Sequence, residues 1–77
     1  MTKYFIAETA RNAHITSSHW KSTNAKTLRT AKQIAQRDCL FVGTEAHVGI
    51  EIDGKIGSIA FRARNGWIDH DFKPALN

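Results

Sequence analysis

The sequence predicts a small α+β domain: an antiparallel β-sheet of about five strands with one α-helix on one face, in the order β-β-α-β-β-β. Three observations carry this. Leu28, Ala31, Ile34 and Ala35 recur at the spacing that lines one side of a helix. Thr44, Ala46, Val48, Ile50 and Ile52 alternate with Glu45, His47, Gly49 and Glu51, the period of a strand with one buried side. Asp53-Gly54 and Asn65-Gly66 are two-residue hairpin signals that cut the C-terminal part into three strands.

Taken in order, Tyr4-Phe5-Ile6-Ala7 favours a strand, and the chain then turns polar through Glu8, Thr9, Arg11 and Asn12. A second extended stretch is expected between His14 and Ala25, where Ile15, Thr16, Trp20 and Thr23 suit a strand. Thr27 is placed to cap the helix that follows. Its stripe is short and mostly small, which suits close packing on a sheet and would not hold an isolated helix together. Lys26, Arg29, Lys32, Gln33, Gln36 and Arg37 fall around the other side. Cys39, Leu40 and Phe41 lead to Gly43, which turns the chain back towards the sheet.

The two turns imply a register. With Asp53-Gly54 closing the first hairpin, Ile52 faces Lys55, Val48 faces Ile59 and Ala46 faces Phe61 on the buried side, while Glu45 faces Arg62 on the open one. With Asn65-Gly66 closing the second, Ala63 faces Ile68 and Ile59 faces Phe72 on the buried side, and Arg62 meets Asp69. Both turns agree on which face is apolar. The open face then carries a row of Glu45, Arg62 and Asp69, with Trp67 beside Arg64. His47 is expected on the open face and His70 on the buried one.

Composition bounds the function. A chain of 77 residues hides only roughly 60% of its unfolded surface, so residues 1–77 form one domain with one core, and binding is favoured over a preorganised catalytic cleft. Eleven Lys and Arg against seven Asp and Glu give a formal charge of +4 and a pI near 9.7. That balance favours phosphates and acidic surfaces as partners and disfavours mimicry of DNA. Cys39 is the single cysteine, which excludes an internal disulfide or a Cys-only zinc site and suits a reducing cytoplasm. No apolar run approaches the roughly 18 residues that span a bilayer, and no targeting segment is visible.

The four histidines, His14, His19, His47 and His70, raise the possibility of a metal site or of ribonuclease-like acid and base chemistry. Spacing argues against a metal: His47 and Glu51 share a strand face but stand about 13 Å apart. A lone Cys39 at a helix end reads as a packing residue. Gly43, Gly49, Gly54, Gly57 and Gly66 are scattered, so no phosphate loop and no nucleotide cofactor is expected. The expectation is no catalytic residue, no cofactor and no metal. The partner-binding candidates are Arg29, Lys32, Gln33, Gln36 and Arg37 on the helix, with Arg64 and Trp67 on the sheet, where arginine and tryptophan serve equally to anchor a protein or to stack on a base.

Thr27-Leu28, Ala31-Lys32-Gln33-Ile34-Ala35, Arg37-Asp38 and Phe41-Val42-Gly43-Thr44 together resemble a family of small phage-encoded anti-CRISPR proteins, inhibitors of the type I-F Csy (Cascade-like) surveillance complex. The likeness is dense over residues 27–44 and extends loosely to Asp53-Gly54-Lys55 and the late tryptophan. The resemblance implies a five-stranded antiparallel sheet with one helix, binding to the backbone subunits that hold the guide RNA, and a block on hybridisation of target DNA in the cytoplasm of a bacterial host. It also implies basic helix residues at the interface and near nucleic acid, positions matched here by Lys32 and Arg37. Gln33 and Cys39 depart from the family's basic and polar residues, which weakens charge-driven DNA contact. Two other readings remain open: a stand-alone nucleic-acid-binding module using the helix or Arg62, Arg64 and Trp67, and a small ribonuclease or toxin using His47 or His70.

Overall fold

The computed structural model of the protein describes residues 2–10, 15, 19–38, 44–63 and 66–74. Strands β1 (Tyr4–Ala10) and β2 (Lys21–Ser22) precede the helix α1 (Leu28–Asp38), which is followed by β3 (Thr44–Ile52), β4 (Lys55–Ala63) and β5 (Gly66–Pro74). The strands form one antiparallel sheet in the order β2-β1-β3-β4-β5, with α1 on one face. The fold class is the expected one. Among the described residues of the stretch between His14 and Ala25, Lys21 and Ser22 pair, with Ile6 and Phe5; His14 and residues 16–18 lie outside the described residues.

The helix begins as its sequence dictates. Thr27 Oγ1 accepts a bond from the Thr30 amide at 3.2 Å, the N-cap geometry that satisfies one of the free amides of the first turn. Ala31 and Ala35 are fully buried and pack with Ile6, Ala25, Ala46, Val48 and Ala60, while Tyr4, Leu28, Ile34 and Trp67 close the margins. Small side chains on both partners let the helix lie close to the sheet, where each buried methyl still gains apolar area.

The Asp53-Gly54 turn is present, with positive φ at both residues (51° and 81°), and Ile52 faces Lys55. Further along, the expected register fails. An irregularity leaves Ile59 as an extra residue on β4, so Gly49 opposes Ser58 while Val48 opposes Ala60 and Ala46 opposes Arg62. A bulge of this kind inverts the alternation on one strand. Ala60, rather than Ile59 and Phe61, therefore lies under the helix, and Phe61 faces His47 on the opposite side.

The second hairpin differs as well. Ala63 opposes Gly66, so Arg64 and Asn65 lie between the paired residues, and both are outside the described residues. Arg62 then opposes Trp67 and Ala60 opposes Asp69 on the helix side, and Ile68 opposes Phe61 on the other. The expected Glu45, Arg62 and Asp69 row is thereby broken up. Gly43 and the residues from Cys39 to Val42 also fall outside the described residues.

The face away from the helix is not an open surface. Phe5, Ala7, Thr9, His47 and Ser58 are buried there. Gly49 explains part of the cover: a Cβ at this position would stand 2.6 Å from the Trp20 ring and 2.5 Å from the Gly57 carbonyl oxygen, so only glycine admits the indole so close to the strand. Gly49→Ala is expected to lower stability by about 1–3 kcal/mol through overpacking. Urea unfolding followed by tryptophan fluorescence measures this; an unchanged midpoint would refute the close packing of Trp20.

Candidate functional site

The helix candidates divide into two groups. Arg29, Gln33 and Arg37 stand at i, i+4 and i+8, a row about 12 Å long on the exposed side of α1. Arg37 is fully exposed and bonds Asp38 through Nε at 2.9 Å. This contact raises the guanidinium and lowers the carboxyl relative to their ordinary values. A cleft of about 700 Å³ opens beside it towards the outer side of β1, lined by Ile6, Ala7, His19, Lys21, Arg37 and Asp38 among others.

Lys32 and Gln36 point the other way. Lys32 Nζ lies 2.7 Å from Asp69 Oδ1 and 5.8 Å from the Trp67 ring centroid, and Trp67 Nε1 donates to Gln36 Oε1 at 3.5 Å. These contacts tie the helix to the edge strand β5. Trp67, expected on the open face, is instead half-buried against the core on the helix side, because the bulge at Ile59 turns Arg62, and the Trp67 that opposes it, towards the helix. Arg64 itself lies outside the described residues. Asp69 remains well exposed, so the Lys32 pair is worth little: a Lys32→Ala and Asp69→Ala double-mutant cycle is expected to give a coupling of about 0.5–1 kcal/mol. A coupling of several kcal/mol in thermal unfolding would contradict this.

On the opposite face the structure assembles a polar cluster that sequence spacing missed. The Ser58 hydroxyl lies 3.4 Å from His47 Nδ1, 3.0 Å from His70 Nε2 and 3.3 Å from the Ala60 carbonyl. His70 Nδ1 is 2.7 Å from the Asp71 carbonyl oxygen, which only accepts, so this nitrogen carries a proton. The Ser58 hydroxyl donates to the Ala60 carbonyl and lies within hydrogen-bond reach of both His47 Nδ1 and His70 Nε2. The rings of His47 and His70 flank Phe61, with centroids at 6.0 and 5.8 Å. His47 was expected on the open face and His70 under the helix. His47 does lie on the face away from the helix, although it is buried there, whereas His70 is on that same side: the bulge at Ile59 turns Phe61, and the residues of β5 that share its face, away from the helix. The visible clue was the i, i+2 spacing of Glu45 and His47; the partners from β4 and β5 could be found only with the bulge in hand.

With 9% and 4% exposure, His47 and Ser58 do not meet a substrate in this conformation. Among the described residues, no three His, Cys, Asp or Glu side chains converge on one point. No helix there is long and apolar enough to cross a membrane. Comparison of the chain with protein-family models, curated proteins and solved structures yields no match.

Burial, helped by the neighbouring His70 and His19 rings, pushes His47 down from 6.5 to about 4. The unfolded chain therefore takes up this proton first as pH falls. The stabilising contribution of neutral His47 is complete above about pH 6.5 and is lost as pH drops towards 4. The expected loss across that window is about 3 kcal/mol. Urea midpoints of the natural chain and His47→Phe across this range test the assignment: the variant should show a flatter profile, and identical profiles would refute it.

Proposed function

We propose that this protein is a stoichiometric inhibitor that docks on the backbone subunits of a type I CRISPR surveillance complex and blocks hybridisation of target DNA in the bacterial cytoplasm. The observation that carries the reading is the exposed Arg29, Gln33 and Arg37 row on a helix whose opposite side is locked onto the sheet. It lies within the segment that resembles the anti-CRISPR family. A helix fixed by Ala31 and Ala35 presents its cations without a backbone ordering cost on binding, which favours a shape-matched contact. The overall charge of +4 suits an acidic or phosphate-bearing surface near the guide RNA. Lys32 and Gln36 contribute by fixing the helix, and Trp67 supports it from β5.

Electrophoretic mobility shift of labelled target DNA by purified type I surveillance complexes tests the proposal. Added protein is expected to abolish the shifted species at a fixed molar ratio, and Arg29→Glu combined with Arg37→Glu to restore it by weakening docking at least about tenfold. Undiminished hybridisation in the presence of excess protein, with no association in a pulldown, would overturn the reading. A stand-alone nucleic-acid-binding module would instead bind free DNA with an affinity that falls steeply with salt.

A further inference from the structure

Strand β5 ends the sheet, and one long side of its nine residues meets no other strand among the described residues. Its two halves differ. Towards the C-terminus, Ile59 alone on β4 spans His70 to Phe72 on β5, and Lys73 and Pro74 follow. A bulge, a lysine and a proline are devices that keep a sheet edge from pairing. The half from Gly66 to Asp69 has none of them and runs in unbroken register with Ala63 to Ala60.

The hairpin sets the direction of the backbone groups. Ala63 and Gly66 close it and exchange both backbone bonds, and pairs of that kind alternate along an antiparallel ladder. The backbone of Ile68 is therefore spent on Phe61, whereas the amides and carbonyls of Trp67 and Asp69 point out of the sheet. Outside the helix and the ladders, the backbone bonds among the described residues are those donated by Thr23 and Ala31, so nothing described there caps the outward groups. The side chains leave this half open as well. The Asp69 charge, which would guard it, is offset by Lys32 at 2.7 Å, and Ile68 on the other face is 55% exposed, the most exposed large apolar side chain among the described residues.

We propose that two copies of this chain pair through the Gly66 to Asp69 half of β5, antiparallel, about a two-fold axis at Ile68. The register follows by exclusion. An axis at Asp69 sets two carboxylates opposite one another and runs each copy into the other's bulge. An axis at Trp67 places the residue opposite Asp69 inside the turn, at Asn65. With the axis at Ile68, Trp67 of each copy faces Asp69 of the other, outward groups meet outward groups, and both backbone bonds form in each pair. The two Ile68 side chains then lie across a non-hydrogen-bonded position, where Cα atoms stand about 4.5 Å apart, and they shield one another from water. On the helix side, Asp69 of one copy comes beside the Trp67 ring that Lys32 of the other overlies at 5.8 Å, so cations and carboxylates alternate around the axis. The pairing is independent of the inhibitory reading.

Sedimentation velocity at protein concentrations up to about 1 mM, in about 0.3 M salt to screen the +4 charge of each copy, tests the pairing. So short a contact falls well below the roughly 800 Å² per partner of a standard interface, and a dimer with a Kd of about 0.1–0.5 mM is expected. Ile68→Lys should weaken it at least about tenfold at an unchanged melting temperature, whereas Ile52→Lys, at the other exposed isoleucine, should leave it intact. With oxidised glutathione as the oxidant, Ile68→Cys in a Cys39→Ser background is expected to give a disulfide-linked dimer, since its Cα atoms fall within the about 4.4–6.8 Å that a disulfide spans. A single monomeric species at about 1 mM would overturn the proposal and leave the edge to a strand of another protein, and a dimer that Ile68→Lys leaves intact or Ile52→Lys abolishes would overturn it too.

Discussion

The extra residue at Ile59 is the constraint on which the remaining architecture depends. Strand β4 lies between β3 and β5 and must satisfy two neighbours and two faces at once. Before the bulge, Ile56 and Ser58 share a face with Glu51 and Gly49; after it, Ala60 and Arg62 share a face with Val48 and Ala46. A regular strand would have placed Ile59 and Phe61 beneath the helix. Ala31 and Ala35, with no exposure at all, leave no room for side chains of that size, and the bulge substitutes Ala60. The same inversion brings Phe61 and His70 to the side that already holds His47 and Ser58. One backbone irregularity thus sets both the spacing of the helix and the polar cluster on the reverse side.

The two faces are held by different physics. Under the helix, packing is apolar and built from small groups, and its edge is tied by a charge-assisted bond and an indole contact from β5. On the reverse, aromatic rings, a hydroxyl and imidazoles are buried together, and each buried polar atom needs a partner to offset the loss of water. Thr9 Oγ1, Trp20 Nε1 and His47 Nε2 are the buried side-chain atoms without one among the described residues. On this polar face His47, whose burial lowers its pKa, carries a pH sensitivity.

Much of the fold was legible because local signals and long-range pairing agree. The Thr27 cap, the Ala31 and Ala35 stripe and the Asp53-Gly54 turn each follow from chemistry confined to a few residues. The exposed Arg29, Gln33 and Arg37 row was legible for the same reason. Lys32 and Trp67 were not, because their placement depends on the bulge in β4, where one extra residue inverts the face of Arg62 and carries the opposing indole to the helix side. The bulge was hidden too: Gly57-Ser58-Ile59-Ala60 reads as ordinary alternation, and only the volume available beneath the helix argues against it. The histidine cluster inherits that obscurity, since its members come from three strands.

The all-alanine seam of α1 has a consequence for how this surface can change over time. Ala31 and Ala35 have no side-chain rotamers with which to absorb a larger neighbour, so those positions admit almost no substitution. Arg29 and Gln33, two residues before them in the chain, are exposed on the far side of the helix. Mutational tolerance is therefore split sharply around a single helix, with an immobile ridge on one side and a freely editable one on the other. A protein built this way can exchange the residues it shows to a partner in single steps, without a compensating change inside.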